Sequence, residues 1–152
     1  MGDGEIKDQK FIKLSLDPER PHSGPNSWKL EYQPGPVKWA AIGWQFPANN
    51  WGDLPGQNLK GQGFRQVSFW ARAVPSSSGA LPEMQVKAGG GTARGKKNQA
   101  SFSVELPFQK IKAEWTQYTI DISGKDHSKV ISAFTVVVRG PATIFIDDIE
   151  YR

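Results

Sequence analysis

Apolar residues in this chain recur at every second position, and no stretch carries the spacing of a helical face. Ile12, Leu14 and Leu16 fall on one side of a short segment, and Trp28, Leu30 and Tyr32 alternate with polar residues in another. A period of two places successive side chains on opposite faces of an extended strand. Such a chain buries its apolar positions by laying one sheet against another. Turn-forming clusters punctuate the pattern: residues 17–26 include three prolines, Gly24 and Asn26, and Pro34-Gly35-Pro36 follows soon after. Strands are expected over 11–16, 28–32, 37–46, 64–74, 83–88, 101–106, 115–122, 131–139 and 143–151. About nine short strands at such intervals predict an all-β fold, antiparallel strands in two sheets forming a sandwich or jelly roll. With no linker, repeat or low-complexity tail, 1–152 is expected to be a single domain. A domain of this size buries about 68–70% of its unfolded surface, so a core can form without covalent staples.

The bulk chemistry removes several function classes. There is no cysteine, which excludes disulfides and thiolate metal sites. The net charge of +4 comes from scattered Lys and Arg, with one cluster at Arg94, Lys96 and Lys97. Nucleic-acid binders carry a denser basic stripe interleaved with aromatics, so no nucleic-acid partner is expected. No apolar run approaches the ~20 residues of a membrane helix, and no membrane insertion is expected. Met1 is followed at once by Gly2-Asp3-Gly4-Glu5, which is not a leader; an exported natural protein would carry its leader upstream of this start.

Candidate catalytic motifs are weak. Gly90, Gly95 and Lys96 match a phosphate-loop spacing, but Lys97 stands where Ser or Thr should hold magnesium, and no helix follows. The segment reads as a flexible hairpin connection. His22 and His127 lie in turns without a partner at ligand spacing, and read as solvent-exposed. Glu83, Glu105, Glu114 and the Asp147-Asp148 pair could serve a hydrolase, which needs two carboxylates flanking one bond. Strand neighbours point to opposite faces, so Asp147 and Asp148 should not share a substrate. On the same alternation Asp147 joins Phe145, Ile149 and Tyr151 on an apolar face, where a carboxylate needs a partner. Calcium suits such a position, with Asp3 or Glu5 and carbonyls of the 22–24 turn as further oxygen ligands. The alternative is a salt bridge or a capped turn.

The tryptophans are the most informative residues. Trp39, Trp44 and Trp51 fall close together, accompanied by Gln45, Asn49, Asn50 and Asp53. Indole rings cover the apolar C–H faces of sugars while amides and charged groups bond the hydroxyl rims. Trp39 shares a strand face with Ala41, Gly43 and Gln45, whose small neighbours leave room for a ligand. Trp44 shares the opposite face with Ala40 and Ile42, so at least one of these two indoles is expected in the core. Trp28, Trp70 and Trp115 lie in apolar strands and read as core. Arg72, Glu83, Gln85 and Lys87 are polar positions within strands, and either line a concave face or form an ion network across a sheet.

The order of these motifs resembles the jelly-roll carbohydrate-binding modules with a galactose-binding-like β-sandwich, found beside glycoside hydrolases and in bacterial surface lipoproteins. The matching segments run from Met1-Gly2-Asp3 and His22-Ser23-Gly24 through Trp39-Ala40-Ala41-Ile42-Gly43-Trp44-Gln45 and Asn49-Asn50-Trp51-Gly52. Phe69-Trp70-Ala71-Arg72, residues 114–121 and Phe145-Ile146-Asp147-Asp148-Ile149 complete them. The resemblance implies a non-catalytic module that binds a polysaccharide or oligosaccharide, as a monomer within a larger multidomain protein. It also implies an extracellular, periplasmic or cell-surface location. Trp39, Trp51 and Asn50 are the first expected contacts, followed by Trp44, Gln45, Asn49, Arg72 and Lys87. Similar modules often hold a structural calcium at the first aspartate of the closing pair with an acidic residue near the N-terminus, here Asp147 and Asp3. The basic, glycine-rich loop 89–97 departs from the pattern. A structural or protein-interaction sandwich without a sugar site is the alternative function, and a hydrolase or lyase is a further one.

Overall fold

The alternation legible in the sequence is resolved into strands in the computed structural model, which describes residues 10–152. Asp3, and with it half of the expected calcium pair, lies outside the described residues. The strands are β1 (Ile12–Asp17), β2 (Ser27–Tyr32), β3 (Trp39–Gln45), β4 (Gln66–Ala73) and β5 (Glu83–Gly89). They continue with β6 (Ser103–Glu105), β7 (Gln109–Lys110), β8 (Thr116–Asp121), β9 (Ser132–Arg139) and β10 (Ala142–Tyr151). The nine expected strands are present, and β7, only two residues long, is the addition. No helix occurs among the described residues.

Two antiparallel sheets face each other. The first has the order β1-β2-β10-β4-β8; the second has β3-β9-β5-β6, with β7 also pairing β5. Leu30, Phe69, Ile120, Ile144 and Ile146 of the first sheet meet Met84, Val86, Phe134 and Val136 of the second, all at most 1% exposed. Their rings interlock, with Phe134 edge-on to Phe69 at 5.1 Å and to Trp44 at 5.5 Å. Truncating such a side chain removes both transfer energy and packing, so Phe134→Ala is expected to cost about 3–5 kcal/mol. Burying Met84, Val86 and Ala88 turns Glu83, Gln85 and Lys87 to the other face of β5.

Two bulges change the parity of the alternation. In β10 the register against β4 shifts between Asp147 and Glu150, and Asp148 adopts φ +47°. Phe145 and Asp147 therefore face outward, while Ile149 and Tyr151 pack against the core, contrary to the single apolar face expected from strict alternation. The same bulge corrects the expected divergence of the aspartates, because both carboxylates reach one turn. Asp147 Oδ2 accepts the N–H groups of His22 (2.9 Å) and Ser23 (3.1 Å), and Asp148 bonds His22 Nδ1 (2.6 Å) and Ser23 Oγ (2.5 Å). The second bulge lies between Trp44 and Gln45 against β9.

On the outer face of the first sheet the expectations for Trp70, Trp115 and His22 change, and that for His127 changes elsewhere. Trp70 stands between Phe69 and Ala71, which face the core, and so points outward to stack on His22 at 3.8 Å and 15°. Trp115 joins this cluster edge-on to His22 and donates Nε1–H to the Arg20 carbonyl at 2.9 Å. Trp28 alone of the three packs against the core. Neither histidine is solvent-exposed: His22 is half-buried in this stack, and His127 is 7% exposed with its ring against Phe102.

Chiefly the hydrogen bond from Ser23 Oγ, and after it the His22 contact, holds the Asp148 carboxyl below the ordinary carboxylate range, with burial opposing. A carboxyl depressed on folding stabilises the protein above its unfolded pKa, and this contribution is lost as pH falls through that range toward the folded value. Denaturant unfolding below about pH 4 is therefore expected to show stability falling with acidity. Asp148→Asn is expected to flatten that part of the profile, and an unchanged slope would remove Asp148 from the account.

Candidate functional site

The outward face of the second sheet is a cleft of about 270 Å3. Its floor is made of small side chains: Ala41 and Gly43 of β3, Thr135 and Val137 of β9, and Gly89 at the end of β5. Gln45, Gln85 and Lys87 add amide and ammonium groups, and Ser132 and Thr135 bond each other through their hydroxyls at 2.7 Å. Trp39, 46% exposed at the start of β3, and Trp51, in the loop six residues beyond its end, belong to the lining. The seven residues of β3 extend about 20 Å at the usual rise, and both indoles line the cleft that runs along its face.

Trp51 is held by two loops joined across the sequence. Asn50, 3% exposed, turns its side chain into the loop: Nδ2 donates to the carbonyls of Phe46 and Leu54, and Oδ1 accepts the N–H groups of Gly52 and Leu54. The glycine-rich segment after β5 then closes on this loop. The Ala93 N–H donates to the Trp51 carbonyl at 2.8 Å, and the Asn98 N–H to that of Gly52 at 3.0 Å. Asn98 Nδ2 reaches the carbonyl of Asp53, and Lys96 Nζ lies 2.6 Å from the Asp53 carboxylate. Gly52 has φ +107°, and a Cβ there would stand 2.6 Å from the Asn98 carbonyl oxygen. Segment 89–97, which reads in the sequence as a free hairpin connection, is thus one wall of the cleft.

The structure brings together Trp39, Gln45, Trp51 and Lys87 of the expected contacts. Asn49 lines an adjoining shallow depression with Lys13, Gln45 and Trp51. Three expected contacts are placed elsewhere. Asn50 is a loop brace rather than a lining residue, its amide saturated by backbone groups. Trp44 points into the core, edge-on to Phe134 and 6.1 Å from Trp28. Arg72 lies on the outer face of the opposite sheet, 7% exposed, with its guanidinium 3.7 Å above the Phe145 ring and Nη2 donating to the Glu19 carbonyl. The residues missed in the sequence are Ser132 and Thr135, because the bulge at Trp44/Gln45 puts both on one face although three positions separate them. Gln85 was visible as a polar position alternating with Met84 and Val86.

Among the described residues, the contacts of Asp147 are hydrogen-bond donors. The 22–23 turn offers its two N–H groups to Oδ2, the Asp148 N–H binds Oδ1, and a cation needs oxygens there. Among the described residues no three His, Asp or Glu side chains are grouped to hold a metal.

No family model matches the chain, and no curated protein matches it. Solved structures do. One is the family 30 carbohydrate-binding module of the cellulosomal cellulase Cel9D-Cel44B of Clostridium thermocellum, with TM-score 0.57 and 14% identity over 90% of this chain and 80% of that one. A second is the CBM22-1 xylan-binding domain of Paenibacillus barcinonensis Xyn10C, with TM-score 0.56 and 10% identity over 93% and 80%. The fold is a carbohydrate-binding-module jelly roll. The Clostridium thermocellum family 11 module in complex with a β-1,3-1,4-mixed-linked tetrasaccharide is a third such jelly roll, with TM-score 0.51 and 13% identity over 91% and 81%. At these identities the jelly-roll likeness concerns the fold, and the cleft is argued from its own residues.

Two measurements test the site's construction. Gly52→Ala is expected to lower stability by about 1–3 kcal/mol, from the strained φ and the contact with Asn98, and to change the emission of Trp51. EDTA is expected to leave the melting temperature unchanged, because backbone amides already occupy Asp147. A drop of several degrees, restored by calcium, would return the ion to that carboxylate.

Proposed function

We propose that this chain is a non-catalytic module that binds a polysaccharide or oligosaccharide in the cleft between Trp39 and Trp51. The carrying observation is the pairing of two partly exposed indoles with a floor of small residues and the polar groups of Gln45, Gln85, Lys87, Ser132 and Thr135. Indoles offer faces to sugar C–H groups, and the amides and hydroxyls offer donors and acceptors to the rims. The jelly-roll likeness to carbohydrate-binding modules supports the same reading. No carboxylate lines the cleft among the described residues, which favours binding over hydrolysis, since glycoside cleavage generally needs two. The alternative of an interaction sandwich whose sugar site has closed calls for bulky floor residues, whereas the floor here carries Ala41, Gly43, Gly89 and Gly91. By the same reading the module works outside the cytoplasm, in a larger protein that it keeps near a polysaccharide, through weak contacts supplemented by tethering.

Intrinsic tryptophan fluorescence during titration with soluble polysaccharides tests the proposal. A saturable shift is expected with at least one glycan. Trp39→Ala and Trp51→Ala are each expected to weaken binding tenfold or more, about 1.4 kcal/mol, while remaining folded. Arg72→Met, on the opposite sheet, is expected to leave affinity unchanged. Silence across a broad panel by folded protein would sink the proposal.

A further inference from the structure

The cleft differs in charge from the molecule that carries it. The chain bears a formal charge of +4, yet among the described residues Lys87 is the only charged one lining the cleft, and its ammonium lies 3.1 Å from Glu105. The rims repeat the arrangement. Lys96 is paired with Asp53 at 2.6 Å, and Arg139 is clamped by Glu83 through Nε at 2.9 Å and Nη2 at 2.7 Å. Three cations thus meet three carboxylates, and these three pairs carry no net charge.

Register places one of these pairs beside an exposed indole. Trp39 is opposite Arg139, and Arg139 is opposite Glu83, so the three stand in a row across β3, β9 and β5. Directly opposed residues project from the same face of a sheet. Both bonds from Arg139 go to Oε2 of Glu83, which leaves Oε1 free to accept. A guanidinium–carboxylate pair therefore presents donors and an acceptor side by side at the edge of the ring that would stack on Trp39. Hydroxyl groups, which both donate and accept, match that pattern. A uronate or sulfate does not, because it would have to compete with a carboxylate for each paired cation.

We propose that the cleft selects an uncharged polysaccharide, with the Glu83–Arg139 pair reading the hydroxyls of the sugar stacked on Trp39. The inference rests on the glycan-binding reading above. The residue that would favour an acidic ligand instead is Arg94, exposed on the same loop as Ala93 and without an ion-pair partner among the described residues.

The test is isothermal titration with neutral chains (hydroxyethylcellulose, glucomannan, arabinoxylan, galactan) and acidic ones (polygalacturonate, alginate, a sulfated galactan). Each is run at about 0.05 and 0.5 M salt, a range over which exposed charge interactions are screened. The expected result is binding to at least one neutral chain, changing less than twofold with salt, and none to the acidic chains. Glu83→Gln, confirmed folded by circular dichroism, is expected to weaken neutral binding about tenfold, the loss of a charged acceptor. Glu105→Gln, on the exposed edge strand β6, unpairs Lys87 and is expected to create salt-sensitive binding to polygalacturonate while sparing the neutral ligand.

Wild-type binding to an acidic chain as tightly as to any neutral one, abolished by Arg94→Ala or by high salt, would overturn the selectivity while leaving glycan binding intact. Unchanged neutral affinity in folded Glu83→Gln would remove the Glu83–Arg139 pair from recognition. Binding to no chain in either class would overturn the glycan-binding reading itself, and the selectivity with it.

Discussion

Every outward position of the second sheet is set by what its neighbours bury. Met84, Val86 and Ala88 must meet the first sheet, as must Phe134, Val136 and Val138, since the apolar faces have no other partner. Once they do, Gln85, Lys87, Thr135 and Val137 have only the opposite face to occupy. The cleft is therefore not an insertion into the fold but the reverse side of its core. Only the Trp51 wall needs machinery of its own: Asn50 braces its own loop, and bonds from Ala93 and Asn98 join Trp51 and Gly52 to a segment more than forty residues away.

What the sequence made legible follows from the same constraint. Alternation is a local property, so strand positions, the all-β class and the grouping of Trp39 with Ala41, Gly43 and Gln45 could be read directly. What depended on a partner strand could not. The bulges at Trp44/Gln45 and Asp147/Glu150 each add a residue to one side of a ladder, and their effect on parity appears only once the opposing strand is in place. Arg72 looked like a cleft residue because strand polarity was visible while the sheet to which β4 belongs was not. Asn50 looked like a ligand contact because a buried amide that closes its own loop has the same composition as an exposed one.

The turn at His22-Ser23 shows how such non-local geometry changes chemistry. In sequence the closing aspartates suggested a cation held by turn carbonyls. In space the turn presents N–H groups, and the imidazole lies flat on Trp70 while bonding Asp148. The connection between β1 and β2 is thereby anchored to the outer face of the first sheet through aromatic and charge-assisted contacts. Arg72, above Phe145 and bonded to the Glu19 carbonyl, belongs to that anchoring cluster. The two faces of the sandwich thus have separate tasks: one fastens a connection, and the other stays open.

The clamp on Trp51 has a thermodynamic consequence. A side chain on a free loop must be ordered when it meets a ligand, and the lost conformational freedom subtracts from affinity. Here the Ala93–Trp51 and Asn98–Gly52 hydrogen bonds and the Lys96–Asp53 pair fix the backbone beneath the indole before any ligand arrives. The entropy of ordering that wall is settled during folding, so a ring entering the cleft meets a surface already shaped to receive it.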